Sequence, residues 1–115
     1  MFYLAPTRTP QEFEALIEQT AKKDIDRTRF AVEQLTFASS DERSYPCVRT
    51  SYIVQDKAPQ GMKNPLLLQT DALYCRHPKR PTTGFAISYS HRGESLDPSL
   101  GAEAQQFIAG AQVPE

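Results

Sequence analysis

The chain has 115 residues, with 13 Lys and Arg against 14 Asp and Glu, a net charge of -1 and two cysteines. That length supports one domain, residues 1–115, with a single core, and charges of both signs spread along it give no basic field to hold a phosphate backbone, so nucleic acid is excluded as a partner. No apolar run reaches the roughly 18 residues that a membrane-spanning helix needs.

The opening Met1-Phe2-Tyr3-Leu4-Ala5-Pro6 has neither the basic start nor the long apolar stretch of a secretory signal. Two settings are therefore open: a cytoplasmic protein with two free thiols, or a secreted one whose targeting segment has been removed. Thr9-Pro10-Gln11-Glu12 reads as a capping box with proline at the first helical position. Phe13, Leu16, Ile17 and Ala21 follow at helical spacing, which predicts a helix over 10–23. From Arg29 to Phe37 the alternation runs Phe30, Val32, slips by one residue, and resumes as Leu35 and Phe37, the pattern of a strand with a bulge. Residues 38–46 read as a polar turn.

Gly61 stands midway between Cys47 and Cys75, inside the turn-like stretch Ala58-Pro59-Gln60-Gly61-Met62-Lys63-Asn64-Pro65. A hairpin folded there, with arms 47–56 and 66–76, opposes the two cysteines and predicts a cross-strand disulfide closing a loop of about 29 residues, worth roughly 3.5 kcal/mol in the chain-entropy model. The same register sorts the side chains. Val48, Thr50, Tyr52, Val54, Leu68, Thr70, Ala72 and Tyr74 share a core face, and Cys47, Arg49, Ser51, Ile53, Gln69, Asp71, Leu73 and Cys75 share a more polar one. A second hairpin turns through 77–84 into a strand over 85–92, paired so that Ile87 meets Tyr74 and Tyr89 meets Ala72, which continues the core face. Asp97-Pro98 then opens a helix with Leu100, Ala104, Phe107, Ile108 and Ala111 along one stripe. The expected fold is a two-layer α+β domain, order αββββα, with both helices on one face of a four-stranded antiparallel sheet.

Catalytic clusters are thin. Cys75-Arg76-His77-Pro78 with Cys47 and His91 suggests a zinc or copper site, but the register sets His91 opposite Thr70, more than about 20 Å from His77, so no metal or cofactor is expected. Cys75 as a nucleophile with His77 as its base requires a free thiol. Ser90 and His91 point to opposite faces of their strand and cannot act together. What remains is the open sheet face, where Arg49, Ser51, Asp71, Ser88, Ser90 and Arg92 gather as a candidate binding surface, with Asp71 set to pair with Arg92. The loop from Lys57 to Pro65 is a second contact element.

The segments Cys47-Val48, Leu73-Tyr74-Cys75-Arg76-His77-Pro78 and Ile87-Ser88-Tyr89-Ser90-His91-Arg92-Gly93, with a last helix ending Phe107-Ile108, resemble small uncharacterised bacterial envelope proteins, often predicted lipoproteins, over residues 10–111. That resemblance implies export and a disulfide between Cys47 and Cys75, although no lipid-bearing cysteine stands near the start of this sequence. The function expected is that of a non-enzymatic accessory or binding domain of the bacterial envelope, periplasmic and acting on a protein partner. The alternatives are a small thiol-dependent enzyme in the cytoplasm and an immunity or inhibitor protein.

Overall fold

A computed structural model describes residues 2–25, 30–56, 66–93 and 95–111. Thr9 caps the first helix, α1 (Pro10–Asp24), in extended backbone, its Oγ1 accepting the Glu12 N–H at 3.1 Å, with Pro10 at the position whose missing N–H costs nothing. The Glu12 carboxylate reaches one residue further back than a capping box requires and accepts the Arg8 N–H at 2.8 Å.

Five strands form one antiparallel sheet in the order β1-β5-β4-β3-β2: β1 (Phe2–Tyr3), β2 (Phe30–Ser40), β3 (Cys47–Asp56), β4 (Leu66–Arg76) and β5 (Thr83–Gly93). β3 and β4 pair as the sequence predicts, Cys47 with Cys75 through to Asp56 with Leu66. The bulge in β2 falls between Val32 and Gln34, and the strand continues to Ser40 instead of giving way to the expected turn at Ala38. The hairpin tip about Gly61, with the loop from Lys57 to Pro65, lies outside the described residues.

Two further expectations about the sheet are corrected. The expected four-stranded sheet gains a fifth strand, because Phe2 and Tyr3 pair with Gly84 and Thr83. A Cβ on residue 84 would stand 2.5 Å from the Phe2 ring, so glycine there lets that ring lie flat on β5. The register of β4 with β5 is also one residue away from the expected one: Ile87 meets Leu73 and Tyr89 meets Asp71. A shift of one reverses every side chain of a strand. Phe85, Ile87 and Tyr89 therefore join the Cys47, Leu73 and Cys75 face, and that face is not open.

The last helix, α2 (Leu100–Gly110), covers it. Ile108 packs with Cys47, Leu73, Cys75 and Phe85, while on the other face Phe13, Ile17 and Ala21 of α1 pack with Leu4, Val48, Ala72 and Tyr74. The fold is α+β, but its helices lie on opposite faces, giving three layers where two were expected. Leu100, Ala104 and Ile108 are buried; Phe107 is half exposed and stands outside the stripe. Arg43, in the link from β2 to β3, holds the far end of α2 by donating from Nη2 to the carbonyls of Ile108 and Ala111 at 2.7 and 3.1 Å. At the near end the Gln69 amide clasps the Asp97 backbone. Ser99 donates from Oγ and N to the Asp97 carboxylate at 2.7 and 3.0 Å, and these bonds, the hydroxyl first, hold that carboxyl below its ordinary range.

Thr50 is fully buried beneath α1, and its Oγ1 has no hydrogen-bond partner among the described residues. A hydroxyl shut away without a partner costs about 1–3 kcal/mol. Thr50→Val is therefore expected to raise stability by about 1 kcal/mol in urea unfolding, with an unchanged slope; a loss of similar size shows that the hydroxyl is satisfied.

Candidate functional site

The six residues expected on one surface are divided between two. Arg49, Ser51 and Asp71 lie on the α2 face and are partly buried; Ser88, Ser90 and Arg92 lie on the α1 face and are exposed. Asp71 does not meet Arg92. It accepts the Ser51 hydroxyl at 2.6 Å near the first turn of α2, whose dipole favours a carboxylate. Arg92 donates instead to the buried Asp56 carboxylate at 2.6 Å, and Arg49 pairs with Glu42 at 3.0 Å. Each is thus tied to a partner within the fold. Ser90 shares a hydrogen bond with Thr70 at 2.9 Å.

Cys47 and Cys75 are joined in a disulfide, their Cα atoms 4.1 Å apart, with 3 % and 0 % of their surfaces exposed. So short a spacing belongs to the non-hydrogen-bonded pairs of an antiparallel ladder. The next pair agrees, since Arg76 donates its N–H to the Pro46 carbonyl at 3.0 Å. His77 is buried beside Phe85, its Nδ1 accepting the Lys79 N–H at 3.0 Å, and His91 faces Gln69, not Thr70. Among the described residues no three His, Cys, Asp or Glu side chains come together as a metal cage needs.

That ladder parity determines what the sheet edge presents. His77 donates to the Thr83 carbonyl at 2.8 Å, so odd residues of β5 turn their backbone toward β4 and even ones turn outward; Leu4, donating to Thr82 at 2.8 Å, uses the outward side. β1 extends only as far as Gly84. The amides and carbonyls of Ala86, Ser88 and Ser90 consequently have no strand beside them among the described residues. Among the described residues the exposed large apolar side chains are Tyr3 on β1, Leu96 on the link after β5 and Phe107 on α2, and of these Phe107 meets β5. Phe107 packs on Tyr89 with the rings tilted and their centres 5.5 Å apart. The Tyr89 hydroxyl donates to Glu103 at 2.9 Å, and that bond, with the charge of Glu103, raises its pKa above 10.0.

A cleft of about 420 Å³ opens elsewhere, where the start of α1 meets the ends of β2 and β4 and the start of β3. Phe13, Pro10, Pro46 and Cys47 supply apolar walls, hydroxyls come from Thr7, Thr9, Ser39 and Ser40, and the charged members are Arg8 and Arg76. Sequence reasoning assigned no role to Arg76 or to Phe107, the one hidden within a candidate metal cluster and the other placed in the core. Only the topology brings them to a cleft and an edge.

No protein-family model, no curated protein and no solved structure matches the chain. Among the described residues no helix is long and apolar enough to cross a membrane.

Proposed function

We propose that this chain is a non-enzymatic accessory or binding domain of the bacterial cell envelope, periplasmic or envelope-associated, which acts by taking an extended segment of a protein partner onto the edge of β5. The observation that carries the contact is the outward row of amides and carbonyls at Ala86, Ser88 and Ser90, flanked by exposed Phe107. Strand addition draws its affinity from such main-chain groups and its specificity from the side chains around them. Folds that keep an edge single place lysine, proline or a bulge on it, and this stretch of β5 has none of these.

The compartment is supported by the disulfide, since such bonds persist in oxidising environments and are rare in the cytosol. Thiol chemistry has less to rest on: the Cys75 sulfur is bonded to Cys47, and the Nδ1 of His77 is occupied by a backbone N–H.

Ser88→Pro tests the contact, because it removes an outward N–H while sparing the ladder to β4. The native chain is expected to retain a defined partner from an envelope extract of its own cells and Ser88→Pro to lose it, both proteins melting at similar temperatures. Equal capture by the two chains rules the edge out. Alkylation of the protein taken from its own cells, denatured without reductant, is expected to label no thiol; two labelled thiols defeat the envelope assignment.

A further inference from the structure

The cleft at the start of α1 has a charge that no carboxylate among the described residues pairs with. Arg76 directs its guanidinium at four neutral oxygens: the carbonyls of Leu4 and Ala5 at 3.3 and 2.8 Å, Thr7 Oγ1 at 3.1 Å, and the carbonyl of Pro81. Its flat face lies 5.4 Å from the centre of the Phe13 ring. Arg49 and Arg92 each have a carboxylate within 3.0 Å; Arg76 has none within 4 Å among the described residues. Of the acids near the cleft wall in sequence, Glu12 accepts the Arg8 N–H, Glu14 accepts the Ser39 hydroxyl at 2.7 Å, and Glu42 accepts the Ser40 hydroxyl at 2.9 Å while pairing with Arg49; neither these nor Asp41 lines the cleft.

Arg8 adds a second positive charge on the rim without an acidic residue among the lining ones. Alongside the two arginines the wall has an apolar part, made by the Phe13 ring and the prolines. A volume of about 420 Å³ falls within the range of small-molecule sites. Inorganic anions match the charge but waste the apolar wall, and neutral apolar molecules do the reverse.

We propose that this cleft binds a small organic acid, a single carboxylate on a flat apolar body, with the carboxylate toward the arginines and the body against Phe13 and Pro46. The site is independent of the β5 edge, since its walls belong to α1, β2, β3 and β4. With both terminal nitrogens held by neutral oxygens, the Arg76 guanidinium is already oriented and offers its charge and its Nε–H, so little side-chain freedom is lost when a carboxylate arrives.

Phenylacetate is a suitable probe, with its neutral amide phenylacetamide and inorganic phosphate as comparisons. Titrated into oxidised, isotope-labelled protein and followed by amide NMR shifts, phenylacetate is expected to saturate at sub-millimolar Kd. The shifts should be confined to residues 7–13, 39–47 and 76, and phenylacetamide should bind at least about tenfold more weakly, because a bond to a charged acceptor is roughly twice as strong as its neutral counterpart. Arg8→Gln, whose side chain has no bond to lose among the described residues, is expected to weaken phenylacetate about threefold to fivefold while leaving the spectrum elsewhere unchanged. Arg76→Lys keeps the charge but not the four-oxygen fork, and its larger loss counts only if the rest of the spectrum is preserved. Equal binding of acid and amide overturns the proposal, as does phosphate matching phenylacetate, or no saturable shift at millimolar ligand.

Discussion

Loss of the Cys47–Cys75 bond is expected to lower the unfolding free energy by about 3.5 kcal/mol and the melting temperature by roughly 14 °C, at about 4 °C per kcal/mol for a domain of this size. The bond closes 28 residues of sequence separation and sits in the middle of the packed α2 face. Most of its effect falls on the unfolded chain, which regains the freedom that the loop had removed. The Cys47→Ala/Cys75→Ala variant adds the loss of two buried sulfurs to that entropy, so it is expected to be at least as unstable as the reduced protein. Both sulfurs are inaccessible in the folded state, and reductant is expected to reach them through opening of the sheet, so the rate of reduction should climb steeply as urea approaches the unfolding midpoint. A stability change under about 1 kcal/mol, or reduction at a rate indifferent to urea, shows that the bond does not hold the fold together.

The arms of the central hairpin were legible because two constraints coincide on one register. Equal distances from Gly61 place cysteine against cysteine, and the same spacing places Val48 against Tyr74, both of which are buried. Neither constraint reaches β5. At its upper end β4 is apolar on both faces, with Ala72 and Tyr74 on one and Leu73 and Cys75 on the other, all buried. Ile87 and Tyr89 therefore find an apolar neighbourhood in either register, and hydrophobic pattern alone cannot choose between them. What selects the observed one is tertiary: Phe85 packs edge-on against Tyr45 and His77, and Gly84 passes beneath Phe2. Once the two faces of β5 were exchanged, the polar face of the central hairpin became the bed for α2, and the candidate surface around Arg49 and Asp71 lost its opening. The edge and the cleft share a different obscurity. Each is assembled from residues distant in sequence, and each depends on which way a backbone or a guanidinium points, a property that no spacing rule encodes.

The placement of the two helices on opposite faces has its own energetic signature. Ile17 of α1 and Ile108 of α2 are each fully buried, and the whole sheet lies between them. Truncation to alanine at either position is expected to cost about 2–5 kcal/mol, combining lost transfer energy with the cavity left behind. Valine is the gentler probe, at about 0.5–1.5 kcal/mol each, and leaves enough stability to measure both changes together. Residues that share no contacts and are separated by more than about 7–10 Å contribute additively, so Ile17→Val/Ile108→Val is expected to lose the sum of the single variants within about 0.5 kcal/mol. A two-layer fold would place both side chains over the same face of β3 and β4, where a methyl removed from one lets the other relax into the space, and the pair would couple. Urea unfolding of the four proteins in a double-mutant cycle separates these cases. A coupling energy above about 1 kcal/mol, or an Ile108→Ala variant as stable as the parent, means that α2 does not hold the far face of the sheet, and that the contact of Phe107 with Tyr89 beside the β5 edge falls with it.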